Sequence, residues 1–502
     1  MLFFWLLLLG IFTFIVVRRS VGAITRTPVW LLWLVMMLPA LVLTVWVLIQ
    51  GTEEPVPSGL LLALFIACPM LYWMLIQWGR IPVTKAPTPE VSEESKGQEG
   101  GTGIEASPAA EALTPKPVLR PIDKAEEAAL QGCFPWSVYY LQNIEYRPQA
   151  MICRGQLRAS PTVAYDTVRD NIRRHFGDRF LVIFQEGLQG KPVFALVPNP
   201  QAEAETKTAQ KPLARPGLAL ALLLVTLFTT TGAGAYLAGV GEAELQTSPF
   251  LFFQGLPYAL ALMAILGCHE MGHYLMARRY GMRVTLPYFI PVPFFLGTFG
   301  AFIQLKSPVP NRRALFDVGI AGPLAGLVVA LPLLLWGLGQ SEVVAIPAEG
   351  SSLLNFEAMD PKASLMLMLL TKLMLGARVA ADQAIHLHPV AIAGALGLVV
   401  TALNLMPVGQ LDGGHIVHAM YGQRTGGVVG QIARLLVFVL ALVHSELMIW
   451  AILLFFIPAV DQPALNDVSE LDDRRDMLGL LALTLLVMIV LPAPGLLTRL
   501  LF

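Results

Sequence analysis

Apolar residues in this chain gather into long unbroken runs rather than into short alternating or 3.6-periodic groups. A bilayer is crossed by about 20 consecutive apolar residues in a helix. Runs over 1–17, 29–49, 59–78, 217–240, 249–277, 318–336, the stretch ending at Asn404, 427–443, 447–459 and 477–497 each predict such a helix, so about ten spans are expected. The run over 286–310 is different. It is apolar yet carries Pro287, Pro291, Pro293, Pro308 and Pro310, with Gly297 and Gly300 between them. Helix-breaking backbone at membrane depth is tolerated only where protein covers it or a cavity receives it, so a re-entrant segment is expected there.

Between the third and fourth runs the pattern changes. Residues 85–119 are rich in Pro, Glu, Ser and Gly and cannot bury a core, which predicts a flexible linker. Residues 120–200 read as a small folded unit. Strands are expected over 137–141 and 150–157. A helix starts at Ser160-Pro161 and stops at Gly177, and a hairpin over 179–185 and 192–197 turns around 187–190. The expected architecture is a polytopic α-helical membrane protein with about ten spans, one re-entrant segment and a small α+β soluble domain. Its expected parts are a three-helix membrane region (1–80), a linker (81–119), the soluble domain (120–200), a second linker (201–216) and a membrane-embedded domain (217–502).

Composition agrees with this pattern: 55% of the 502 residues are hydrophobic and only 14% charged. A formal net charge of -1 gives no case for a nucleic-acid partner. Cys68, Cys133, Cys153 and Cys268 lack C-x-x-C spacing, so neither a disulfide framework nor a cysteine zinc site is expected. The first run has no basic segment before it, which argues against a cleaved signal peptide. Basic residues flank alternate ends of the runs: Arg18, Arg19 and Arg26; Arg80 and Lys85; Lys207, Lys211 and Arg215; Arg278, Arg279 and Arg283; Arg312 and Arg313. The positive-inside bias puts these loops and the soluble domain in the cytoplasm, and a bacterial plasma membrane is the expected location.

The chemistry concentrates in His269-Glu270-Met271-Gly272-His273, inside the 249–277 run. On a helix, two His at i and i+4 share one face and can bind one Zn²⁺, with the intervening Glu near the metal-bound water. Three ionisable groups within one membrane-length helix are costly unless a metal or a wet cavity satisfies them. Cys268 points roughly 100° around the helix from His269, so packing is its expected role. At about 1.5 Å per residue, the His pair lies roughly 8–14 Å inside the boundary marked by Arg278. A catalytic zinc site needs a third ligand. Asp412 sits in the helix break Asn404-Leu405-Met406-Pro407-Val408-Gly409-Gln410-Leu411-Asp412-Gly413-Gly414, at a similar sequence distance from Arg424. His415 and His418 are rivals for that role, and Asp412 could instead cap a turn.

H-E-x-x-H in one membrane helix and N-x-x-P-x-x-x-L-D-G in a later one resemble the site-2 protease family of intramembrane zinc metalloproteases. The likeness extends over 297–300, 311–326 and 463–475, and is greatest to the cyanobacterial and plastid branch with a soluble N-terminal domain and no PDZ domain. It implies one Zn²⁺ per chain on His269, His273 and Asp412, with Glu270 as general base. It further implies substrate contacts at Asn404, Gly297 and Gly300, and transmembrane proteins in the lipid bilayer as substrates for regulated intramembrane proteolysis. Two other functions use the same residues: a metal-ion transporter with ligands at membrane depth, and a non-catalytic membrane adaptor working through its soluble domain.

Overall fold

The computed structural model describes residues 27–50, 122–147, 150–187, 190–199, 215–292, 296–345, 359–376, 383–443, 447–458, 460–495 and 497–498, with single helical positions between 10 and 18 and between 64 and 78. The chain divides into two compact units, Met1–Ala112 and Leu113–Phe502. In the first, α1 (Val29–Gln50) is apolar along its length. The Trp33 indole N–H donates to Gly10 O at 2.8 Å, which satisfies a polar group in apolar surroundings. Most of the expected spans 1–17 and 59–78, and the 81–119 linker, lie outside the described residues.

The second unit begins with α2 (Lys124–Gly132), a helix the apolar pattern does not predict. It is set by a capping box in which Asp123 and Glu126 each accept the other's backbone N–H. Strands β1 (Tyr139–Arg147) and β2 (Ala150–Leu157) precede α3 (Pro161–Phe176), and β3 (Phe180–Glu186) and β4 (Pro192–Pro198) follow it. The sheet is antiparallel with order β1-β2-β4-β3. Its core is aromatic. Phe184 and Phe194 stack at 4.2 Å, and the Tyr139 ring meets Phe194 edge-on at 4.9 Å. The buried Tyr139 hydroxyl donates to Pro192 O at 3.0 Å. β1 runs six residues past its expected end at 141, through a bulge between Leu141 and Asn143 that preserves its pairing to β2.

The largely helical part starts with α4 (Pro216–Leu237), whose Thr226, Thr230 and Thr231 hydroxyls donate back to carbonyls of their own helix at 2.7 Å. After the short α5 (Glu242–Thr247), a 3₁₀ turn (Pro249–Gly255) leads into α6 (Leu256–Arg279). A hairpin of β5 (Tyr288–Pro291) and β6 (Thr298–Phe302) follows, then α7 (Arg312–Gly339), N-capped by the Asn311 side chain. Beyond β7 (Glu342–Ala345) come α8 (Leu365–Leu375), β8 (Gln383–His386), α9 (Pro389–Leu405), α10 (Asp412–Tyr421), α11 (Gln423–Val443), α12 (Met448–Phe456) and α13 (Asp473–Val490).

Five helices among the described residues are long and apolar enough to cross a membrane: α1, α4, the 3₁₀ turn with α6, α7 and α11. Of the ten expected spans, those over 1–17 and 59–78 lie mostly outside the described residues, and three others fall short of this length and composition. The 447–459 run yields α12, nine residues and so about 14 Å long, which is less than half a bilayer core. The 477–497 run yields α13, whose first turn is charged and which stops at Val490. α9 is 17 residues long and ends ahead of Pro407.

The proline-rich 286–310 stretch is the β5–β6 hairpin and its flanks. Tyr288 pairs with Phe302 and Phe289 with Ala301. Gly297 has φ +83, and a Cβ on it would sit 2.5 Å from Thr230 Cα of α4, so both turn geometry and close approach require glycine. The Thr229 hydroxyl donates to Gly297 O at 2.7 Å, and the Tyr258 hydroxyl of α6 donates to Leu296 O at 3.1 Å.

A strap over 461–467 ties the four-stranded sheet to the helical part. Phe184 N–H of β3 donates to Leu465 O at 2.7 Å, and Asp467 N–H donates to Phe184 O at 2.8 Å. On its other side, Leu465 and Asn466 N–H donate to Val309 O and Pro310 O, just ahead of α7.

Candidate metal centre

α6 and α7 pack closely because small residues line the contact: a Cβ on Gly272 would lie 2.4 Å from Ala321 O. This closeness sets His269 and His273, one turn apart on α6, against Gly326 and Gly322 of α7. Both His are buried. His273 Nδ1 lies 2.7 Å from Val318 O, so Nδ1 carries the proton and donates, leaving Nε2 with a free lone pair.

The third group arrives from the break after α9. Leu411 is the N-cap of α10, and Asp412 is its first residue, with its carboxylate at a helix N-terminus. Asp412 Oδ2 lies 3.4 Å from His269 Nε2 and 3.3 Å from His273 Nε2, and the two Nε2 atoms are 3.1 Å apart. Zinc at 2.0–2.1 Å from tetrahedral ligands would separate its donor atoms by about 3.3 Å. The three measured edges match that spacing. Two imidazole nitrogens aimed at one point with a carboxylate beside them favour a cation between them, so the residues fit a metal ion. Among the described residues this is the one group of His, Cys, Asp and Glu with donor atoms within 4.8 Å of one another.

Glu270 is buried next to His269, close to His273 and Asp412, and the Ile303 backbone just beyond β6 faces its carboxylate. The hairpin therefore touches the site directly. Gly297 and Gly300 shape its turn and outer strand: both have positive φ, and the Gly300 N–H donates to Thr298 Oγ1 at 3.0 Å. Asn404, in the last turn of α9, places Nδ2 3.1 Å from His269 Nε2. The structure thus brings His269, His273, Glu270, Asp412 and Asn404 together. Gly300 stands apart in the hairpin's edge strand.

The rivals for third ligand are occupied elsewhere. His415 Nδ1 and His418 Nδ1 both face Asp461 Oδ2, at 2.7 and 2.8 Å, and His418 Nε2 faces Asp467 Oδ1 at 2.9 Å. Burial opposes a charge on His418, but its hydrogen bonds to Asp461 and Asp467 prevail and raise its pKa to about 9. Asp467 in turn meets the Arg312 guanidinium at 3.4 Å. Sequence reasoning missed Asp461, Asp467 and Arg312 as partners. The available signal was a cluster of acids in the polar 460–476 stretch, opposite two histidines spaced i, i+3. His388 caps α9 through Val390 N–H, at the opposite end of that helix from Asn404. Cys268 is half-buried and outside the metal-ligating group.

Residues 257–444 match peptidase family M50, and residues 128–204, which include all four strands of the larger sheet, match the EGY3 middle domain. The chain is 29% identical over 365 residues to the Arabidopsis thaliana protein named probable zinc metalloprotease EGY2, chloroplastic, covering 72% of this chain and 63% of the relative. It is 34% identical over 238 residues to the Arabidopsis thaliana probable zinc metalloprotease EGY1, chloroplastic, covering 47% of this chain and 43% of the relative. To the Arabidopsis thaliana probable zinc metallopeptidase EGY3, chloroplastic, it is 25% identical over 429 residues, covering 81% and 73%. The chain spans 63–65% of the length of the EGY2 relatives it matches. No solved structure matches it.

Proposed function

We propose that this chain, whose residues 257–444 are a peptidase family M50 domain, is an intramembrane zinc endopeptidase that hydrolyses peptide bonds in or beside transmembrane segments. The observation that carries the reading is the trio of donor edges of 3.1, 3.3 and 3.4 Å among His269, His273 and Asp412, set beside Glu270 within apolar helices. His269, His273 and Asp412 would hold one Zn²⁺. Zinc held this way polarises a carbonyl and lowers the pKa of a bound water.

The remaining steps belong to the chain's own residues. The Glu270 carboxylate, with the Ile303 backbone beside it, takes the proton of the attacking water and passes it to the leaving amide nitrogen. The Asn404 amide, beside His269 Nε2, donates to the carbonyl oxygen as it gains negative charge. An intact transmembrane helix hides its carbonyls in hydrogen bonds, so the substrate must unwind locally. The outer edge of β6, at Gly300, receives the unwound strand through backbone hydrogen bonds.

The substrates are transmembrane proteins, and the partner surface is the bilayer itself. The names of the relatives place them in the chloroplast, which gives no support to a bacterial plasma membrane. The site lies toward the basic end of α6, marked by Arg278 and Arg279, which the positive-inside bias assigns to the cytoplasmic or equivalent side. A metal transporter is disfavoured because a general base stands beside the ligands. An adaptor is disfavoured because three metal-fitting side chains and an adjacent buried carboxylate converge at one point.

The test is Glu270→Gln in the full chain reconstituted with a transmembrane substrate. Zinc content should stay at parent level while cleavage is lost. Cleavage at the parent rate would end the protease reading, and zinc flux into liposomes would favour transport.

A further inference from the structure

α10 carries Asp412 at its first residue, and its other end is gripped by a cluster outside the metal centre. His415 and His418 lie three and six residues after Asp412, the latter about 9 Å along the helix axis. Asp461 Oδ2 accepts from Nδ1 of both histidines, and Asp467 accepts from His418 Nε2. Since both ring nitrogens of His418 face carboxylates, the ring carries both protons. It is an imidazolium bridging two acids, all three of them buried. Asp461 and Asp467 come from the strap, His415 from its own helix and Arg312 from α7, while α11 presents Gly426.

The strap has no freedom of its own. Asp461 O accepts from the Gln423 amide at 2.7 Å, Leu465 and Asn466 pair with residues 309–310, and Phe184 of the soluble sheet brackets Asp467. A segment pinned on both edges and ionically locked to a ten-residue helix fixes that helix in axial position and rotation. On its other side Asp412 is set by the packed break before it, where Gly413 lies against Leu405 O and Met406 O and Gly414 against Gly409 O, so the strap completes the restraint from the far end of the helix. Groups behind a metal ligand commonly change metal affinity 10–100-fold when removed.

We propose that residues 461–467, acting through His415 and His418, are a positioning strap that sets where Asp412 presents its carboxylate to the metal centre. The inference rests on the metal reading above. The soluble domain holds the strap's outer edge at Phe184, so that domain bears mechanically on the third ligand.

The test uses the full chain purified in detergent. Zn²⁺ affinity is measured by competition with a chelating dye, and the visible spectrum of the Co²⁺-loaded protein reports ligand geometry. Asp461→Asn keeps the shape and removes the charge. It should weaken Zn²⁺ binding about tenfold or more and shift the Co²⁺ bands, and Asp461→Glu should recover most of the affinity. Val168→Ala, in the buried core of the soluble domain, should lower Tm with both readouts unchanged. If Asp461→Asn does not fold, His418→Gln carries the same comparison. Parent-like affinity and spectrum in the folded variant overturn the strap alone. A parent chain that binds no Zn²⁺ overturns the metal reading, and the strap with it.

Discussion

Gly322 faces His273 so closely that a Cβ built on the glycine would stand 2.0 Å from the imidazole Nε2. That nitrogen is the one left free by the Nδ1 hydrogen bond to Val318 O, so the ring cannot rotate away without losing its anchor. Glycine is therefore required at 322 by the metal centre and not by the helix, where alanine would be favoured by roughly 0.5–1 kcal/mol. Gly322→Ala should leave the chain folded and weaken Zn²⁺ binding by about 100-fold, the upper end of effects from groups that orient a ligand. Gly326→Ala, whose Cβ would meet His269 at 3.2 Å, should cost only a few-fold. Equilibrium dialysis with zinc analysis checks both, and equal losses would show that the two glycines serve helix packing alone.

Removing the metal should destabilise the membrane-embedded part. A ligand held at 100 times its Kd stabilises the folded state by about 2.7 kcal/mol. A strong chelator should therefore lower Tm by several degrees, and Zn²⁺ should restore it. Asp412→Asn should abolish most of this difference, because an amide is a poor zinc ligand. A chelator-insensitive Tm in the parent chain would count against occupancy of the site.

Cys133 and Cys153 should be silent thiols in the native soluble domain. Burial pushes Cys133 up to about 11 and Cys153 up to about 12, from 9 for a free thiol. At pH 8 that lowers the thiolate fraction by about 100-fold and 1000-fold, before access is considered. The sign follows from the raised folded pKa. The stabilisation is complete below pH 9 and is lost as pH rises from there toward 11 and 12. Alkylation at pH 8 should label neither residue until denaturant is added, and the soluble domain should lose stability above pH 9.

The local half of the site was legible and the distant half only partly so. His269 and His273 are four residues apart on one helix, so sequence spacing alone places them together. Asn404 meets His269 across 135 positions, a contact that no local period encodes. Asp412 could be picked out because a lone acid in a glycine- and proline-broken membrane segment has few other uses. Asp461 and Asp467 could not, because acids in a polar stretch are ordinary until a fold sets them against buried histidines. The soluble domain's hairpin and α3 followed from turn residues and caps, whereas β1 ran longer than its alternation because a bulge shifted its period. The apolar runs over 447–459 and 477–497 show the limit of composition: hydrophobicity marks burial or lipid, but helix length and charged first turns decide what can cross.

The β5–β6 hairpin offers a way to separate substrate handling from metal binding. Gly297 and Gly300 both have positive φ, but their surroundings differ. A Cβ at Gly297 would strike the α4 backbone at Thr229 and Thr230 within 2.5–2.8 Å, whereas at Gly300 nothing lies within 4 Å. Gly300→Ala therefore adds only backbone strain, on the order of 1 kcal/mol. Gly297→Ala adds a collision with a packed helix and should displace the hairpin, at roughly 2–3 kcal/mol. Since β6 leads directly to Ile303, whose backbone faces the Glu270 carboxylate, Gly297→Ala should cut cleavage of a transmembrane substrate by ten-fold or more (about 1.4 kcal/mol of barrier). Zn²⁺ affinity should stay within about two-fold of the parent, because His269, His273 and Asp412 all lie on helices. Gly300→Ala should show the smaller activity loss of the two. Parallel losses of zinc and activity in Gly297→Ala would mean that the hairpin supports the metal centre itself rather than the base and the substrate strand.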